Sequence, residues 1–340
     1  GGEFGAALML FSPNLNDTEL GFYFINYHSR TPVLNVRTGT AAGVTAGLNA
    51  RNATVANAGV LTNPAVGFAA TDISSLAAIS AIDAYADTAN YFVEFRKDIQ
   101  LLGFSFNTEV GQTGIALQGE YSFREGVPLQ IDHSEILSVA LTPLPGPLTF
   151  TPASQLGTFG TDTIIPGFIE RNVSQVQMTA TKIFGPTLKA NQAALIGEFG
   201  ITHVHSMPNK SDLRLEAPGT FTGGHAAFTA QGLQPFTHYS DNFADSTSWG
   251  YQVRGRLDYL NVLGAFNLSP RFSWRHDVSG IAPVGLSGFR EDSKAITLGL
   301  GANYQNSWAA DISYTNFFGA GGHNLLNDRD FMDFSIVHYF

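Results

Sequence analysis

A chain of 340 residues with no cysteine and only 14% charged side chains lacks the surface of an ordinary water-soluble domain, where about a quarter of residues carry charge. Its formal charge of −10, from 28 acidic against 18 basic residues, offers no basic stripe to neutralise phosphates and excludes nucleic acid as a partner. A mean hydropathy of +0.03, with no run near the roughly eighteen apolar residues of a spanning helix, excludes a helical membrane protein but suits strands that alternate apolar and polar residues.

The chain opens at Gly1 with neither a methionine nor an apolar signal core, which points to a removed signal or to a fragment. Period-two alternation then predicts strands near 3–11 and 18–28. A long connection over 29–97 follows. Within it, Thr38 to Phe68 is rich in Ala, Gly, Asn, Thr and Val without a clear period and reads as an irregular loop. Ile73 to Ala86 reads as a helix on the spacing of Ile73, Leu76, Ile79, Ser80 and Asp83. Strands near 99–110 and 113–124 lead to a second long connection, 125–167, which holds a short helix at Ser134 to Leu141. These helical inserts suit either a lumen plug or a cap on the rim. Strands near 171–184 and 191–205 precede the third long connection, 206–248.

The alternation is cleanest from Trp249 onward. Trp249, Tyr251, Val253, Leu257 and Tyr259 share one face, and Gln252, Arg254, Arg256 and Asp258 the other. In the next strand Phe266, Leu268, Phe272 and Trp274 oppose Asn267, Ser269, Arg271, Ser273 and Arg275. Ile296, Leu298, Leu300 and Tyr304 follow, then Trp308, Ala310, Ile312 and Tyr314, then Met332, Phe334, Ile336 and Phe340. About eleven strands result, each near the ten residues that a tilted strand needs to cross hydrocarbon.

Connections alternate short and long, the pattern of an outer-membrane barrel with short periplasmic turns and long extracellular loops. The expected fold is therefore all-β: one antiparallel transmembrane β-barrel portion over 1–340, with short helical inserts in its extracellular loops. With the last strand ending in the periplasm, the first runs from outside inward. A single-chain barrel normally has an even strand count, so the chain reads as the C-terminal part of a larger barrel.

On that fold, Arg254, Arg256, Arg271 and Arg275 fall on one lumen wall, and Asp258, Glu120, Glu198 and Asp311 are the facing acids. They form either an anion-guiding strip or, since the acids are nearly as numerous, pairs that hold inner loops in place. Trp249, Tyr251, Trp274, Trp308, Tyr314 and Phe334 are candidates for the lipid-facing aromatic belt. Phe340 closes a DFSIVHYF strand, as an assembly signal for barrel-inserting machinery would.

His203 and His205 share a face, but spacing supplies no third metal ligand. His276–Asp277 and the acidic run 328–330 lie beside extracellular loops, where solvation is the plain account. The chain has no G-x-S-x-G, HExxH or phosphate loop, so neither catalytic residues nor a cofactor is expected.

Several strings together resemble a family of proteobacterial outer-membrane proteins catalogued as domain of unknown function thirteen-oh-two. They are GGEFGAAL, LNDTELGFYFINYHSRTP, FRKDIQLLGFSFNTEVGQTGIALQGEYSFREGVPLQI, SQVQMTATKIFGP, SWGYQVRGRLDY, LSPRFSWRHDVSGIAP and NLLNDRDFMDFSIVHYF. The resemblance spans nearly the whole chain and implies an outer-membrane location. It also implies carriage of apolar compounds, in the manner of long-chain fatty-acid transporters. The implied partners are outer-membrane lipid, a periplasmic lipoprotein and an inner-membrane pump. A diffusion porin and a closed surface-interaction barrel stand as the alternatives.

Overall fold

The computed structural model describes residues 2–61, 70–144, 154–230, 234–262, 264–286 and 288–339. In chain order, β1 (Phe4–Ser12), β2 (Thr18–Tyr27) and β3 (Val33–Arg37) lead to three helices, α1 (Ala41–Ala56), α2 (Ala58–Leu61) and α3 (Ala70–Ala86). Next come β4 (Asn90–Glu94), β5 (Ile99–Glu109), β6 (Ile115–Gln130), α4 (His133–Ala140), β7 (Ile164–Ile165), β8 (Phe168–Phe184) and β9 (Gln192–Val204). After α5 (Ala226–Ala230) follow β10 (Thr247–Val262), β11 (Phe266–Ser279), β12 (Lys294–Tyr304), β13 (Trp308–Phe318) and β14 (Phe331–His338).

Eleven of these strands form one antiparallel sheet in the order β1-β2-β5-β6-β8-β9-β10-β11-β12-β13-β14, each paired with its sequence neighbours in the sheet. They are the eleven that periodicity predicts. The sheet is open, with β1 and β14 as its edges. A second, three-stranded sheet, β4-β3-β7, lies within the long connections and has no counterpart in the sequence reading.

Tight turns close one end of the large sheet. Gln305 and Asn306, at φ 50° and 54°, turn β12 into β13 with both central residues left-handed, the geometry that matches strand twist. Between β1 and β2 a 3-10 turn at Pro13–Leu15 is ended by Asn16 and Asp17, both left-handed (φ 53° and 52°). All the long connections emerge at the opposite end.

Cross-strand register gives the sheet two unlike faces, because directly paired residues point the same way. One row reads Tyr23, Gly103, Ser122, Gln175, Thr202 and Ser248 across six strands. Another reads Arg254, Ser273, Thr297 and Thr315. The opposite face carries Val253, Trp274 and Ile296 in one row and Leu300, Ile312 and Phe334 in another.

The buried core is at the long-loop end, where β6 and β8 run past their neighbours. Leu129, Ile131, Val173 and Val204 pack there with Ile136 and Val139 of α4, Val36 of β3, and Leu215. Loop 125–167 therefore starts later than expected, because β6 continues to Gln130 through a register shift between Arg124 and Val127. The Gln130 side chain accepts from Leu34 N–H (2.7 Å) and donates to Gly167 C=O (2.7 Å), which ties the small sheet to the large one.

Residues 38–61 are not the irregular loop expected of Thr38 to Phe68, and 62–68 lie outside the described residues. Thr40 caps α1 by accepting from Gly43 N–H at 3.0 Å. The helix lies against α3 along a seam of small residues, where a Cβ on Gly47 would come 2.8 Å from the Ala81 carbonyl. Such a helix has almost no apolar stripe, so periodicity is silent; alanine propensity and close backbone approach make it. On α3 the buried line is Ile73, Ala77, Ala81 and Tyr85, whereas Ile79 of the expected stripe is exposed. Tyr85 donates to Ala140 C=O (2.9 Å), so the helices stack on α4 at the loop end.

The seam yields a test. Gly47→Leu should overpack it by about 1–3 kcal/mol. Limited proteolysis should then cut within 41–86 faster while the large sheet keeps its protection.

Candidate functional site

The polar face is built by strands that turn every second side chain toward it, and the sequence-predicted charges lie there together. Register pairs Arg256 with Arg271, Arg254 with Ser273 and Gln252 with Arg275, so all four arginines share this face. Two guanidiniums directly opposite would repel, and each has its own acid. Arg271 reaches over β12 to Asp311 in a bidentate pair (2.5 and 2.7 Å), and Arg256 Nε bonds Asp258 at 2.8 Å. Gly299 makes the first reach possible, since a Cβ there would lie 2.7 Å from the Arg271 guanidinium carbon.

Arg275 pairs with the buried Asp277 (3.1 Å), which also accepts from Arg290 N–H (3.1 Å) and so fastens the β11–β12 loop. Asp277 is therefore a structural anchor and not a solvated loop residue. Arg254 has no ionic partner among the described residues, and Glu198 bonds Gln177 (2.9 Å) instead of an arginine. Glu120 sits further round the face, in a concavity of about 430 Å³ with Tyr23, Tyr27, Arg124 and Gln175. The β11–β12 loop also folds onto this face: the Phe289 ring lies 3.1 Å from where a Cβ would stand on Gly200 and on Gly250.

The aromatic candidates lie on the other face. Trp249 packs on Phe199 (5.8 Å between centroids), Trp274 donates to Tyr251 OH (3.2 Å), and Trp274 packs on Phe318 (5.9 Å), all toward the long-loop end. At the short-turn end Trp308 stacks on His338 (4.2 Å) and Phe266 on Tyr304 (4.7 Å). Tyr314 donates to Asp330 (3.1 Å), which also accepts Phe317 N–H (2.9 Å). Asp330 thus caps the β13–β14 hairpin, a role beyond solvation. Phe334 stands free on β14, and Phe340 lies outside the described residues. His203 and His205 rings meet edge to face at 4.7 Å, each bonded to a hydroxyl, of Thr247 and Ser174 respectively.

The residues that periodicity misses lie in the long connections. Glu135 of α4 is fully buried and bonded by Arg214 and by His225 Nε2 (2.5 Å), and it accepts Gln155 N–H (2.7 Å). Burial pushes its carboxyl up, but the His225 and Gln155 hydrogen bonds and the Arg214 charge outweigh this and hold it below the usual range. Glu216 accepts from His133 N–H (2.9 Å) and from Thr220 (2.8 Å). Asp132 caps α4 through Ser134 N–H (3.1 Å), while its second oxygen is buried without a partner. Burial first, then the charges of Glu216 and Glu135, push the Asp132 carboxyl up to about 7. An Asx cap before an apolar turn was the one sequence signal available for this cluster.

Two outcomes follow. Gly299→Val should displace Arg271 and break its pair with Asp311; both side chains are about a third exposed, so the loss should stay within about 1 kcal/mol in thermal melts. An unfolded Asp ionises near pH 4, whereas Asp132 keeps its proton in the native state to about 7, so its contribution falls as pH rises from about 4 to 7 and is level above. Asp132→Asn keeps the cap and should remove that slope, gaining at most about 4 kcal/mol at pH near 8 and nothing below about 4. Melts of both proteins against pH read the difference.

No curated protein matches the chain. The family model described as "Protein of unknown function (DUF1302)" matches residues 1–340. With its whole length covered, the chain belongs to the DUF1302 family.

Proposed function

We propose that this protein forms the wall of a β-barrel in a bacterial outer membrane and passes small hydrophobic molecules through it, with no catalytic step. The observation that carries this reading is the apolar band on one face of the large sheet. Leu298 is 57% exposed, Ile312 43%, Phe334 62% and Ile336 57%, with Phe272 and Leu300 beside them. In water each would forgo about 1.5–3 kcal/mol of burial. A continuous band of this kind on a protein surface marks contact with an apolar phase, and strands of this length match hydrocarbon thickness. Aromatics at both ends of the band and a charged opposite face agree with lipid outside and water within.

The open edges carry the reading further. Backbone groups along β1 and β14 cannot stay unpaired in hydrocarbon, so the sheet must close. Both strands run from the long-loop end toward the short turns, as their registers with β2 and β13 require. Pairing them directly would be parallel. Antiparallel closure takes an odd number of strands between them. The loops face outside the cell, and the partners are outer-membrane lipid, the assembly machinery, a periplasmic lipoprotein and an inner-membrane pump.

Reconstitution tests the assignment. Proteoliposomes should take up a hydrophobic dye faster than empty vesicles, while planar bilayers show no steady ohmic current. Steady current through an open lumen would favour a diffusion porin instead. Neither uptake nor current, with ligand capture by the loops intact, would leave a closed surface barrel.

A further inference from the structure

At the long-loop end, α3, α4 and the loop residues Phe221 and Gln234 line a half-open cavity of about 370 Å³, within the usual range for small-molecule sites of about 300–1,000 Å³. One wall is α4, which presents Ser134, Leu137, Ser138 and Leu141 at i, i+3, i+4 and i+7. The other side of α4, with Ile136 and Val139, is already in the core, so Leu137 and Leu141 add a second apolar line to this helix. Folding needs only one. Leu137 is 57% and Phe221 68% exposed beside the cavity.

Thr222 lines the cavity at 6% exposure, and its hydroxyl has no hydrogen-bond partner. A buried hydroxyl left unpaired costs about 1–3 kcal/mol, which a ligand oxygen could recover. Among the described residues, every polar side chain lining the cavity is an uncharged hydroxyl or amide, including Ser134, Ser138 and Gln234. Around the first turn of α4 lie three buried carboxylates, Asp132, Glu135 and Glu216, against the guanidinium of Arg214 and the imidazoles of His133 and His225 among the described residues. An anionic head would meet that excess of acid; a neutral one would not.

We propose that this cavity captures an uncharged, mostly apolar molecule carrying one hydroxyl or carbonyl, of the medium-chain alcohol or ketone class, with Thr222 as its hydrogen-bond partner. The inference rests on the transport reading above, for which it names an entry site and a substrate class. A carboxylate of equal chain length is the disfavoured ligand.

The test uses the full chain in amphipol with the neutral fluorophore N-phenyl-1-naphthylamine as probe, displaced by 1-dodecanol or by dodecanoate at about pH 8. Dodecanol should displace it at about a tenfold lower concentration than dodecanoate. Leu137→Glu, at a half-exposed position, should raise the dodecanol concentration needed by about tenfold, and Thr222→Val by about three- to tenfold, with unchanged circular dichroism. Equal displacement by alcohol and carboxylate, or no effect of Leu137→Glu, overturns the proposal. Dodecanol uptake by proteoliposomes separates the two readings. Uptake without binding refutes the cavity and spares transport, whereas binding without uptake refutes transport and leaves the cavity standing.

Discussion

In an extended strand each side chain points away from its neighbour's face, and in a paired sheet facing residues share a side. From that constraint most of this molecule follows. Eleven strands in one antiparallel order add their alternations coherently, so a weak pattern in each strand becomes two continuous surfaces of opposite character. A shift of one residue anywhere would throw a row of leucines among arginines, which is why register is so strongly specified here. Glycine has a part at the crossings: Gly299 lets Arg271 reach a carboxylate two strands away, and Gly200 with Gly250 makes room for the ring of Phe289.

The long-loop end obeys a different rule. There the strands of the large sheet end, and chain segments of some tens of residues must satisfy their own backbone and polar groups. They do so with a small second sheet, a close-packed helix pair and α4, joined by buried side-chain bonds in place of a period. Gln130 spans two sheets, and Glu135 holds the loops on either side of β8 and β9 through Arg214 and His225. A buried ion pair of this kind adds little net stability, but removing either partner strands a charge.

The two halves suit the proposed role in different ways. A two-faced sheet can separate lipid from water, whereas selection among solutes needs concave, asymmetric surfaces with few polar groups. The polar face offers charges already paired for the most part. The loop end offers a half-open, mostly apolar cavity whose polar side chains are uncharged among the described residues. On this reading the strands provide passage and the loops provide choice.

Sequence alone determined the eleven strands, their two faces and the sorting of short turns from long loops, because each depends on a period of two that is local and repeated. It also placed the four arginines on one face, and the helices α3 and α4 within a few residues. Only the tertiary structure decided that Arg271 meets Asp311 two strands away, through the register of β11, β12 and β13 and the space left by Gly299. It alone made a helix of Ala41–Ala56, whose small residues carry no apolar stripe and are helical through contact with α3. It alone joined Asp132 and Glu135 at the start of α4 to Arg214, Glu216 and His225 of the loop after β9, because burial and not periodicity brings the two segments together.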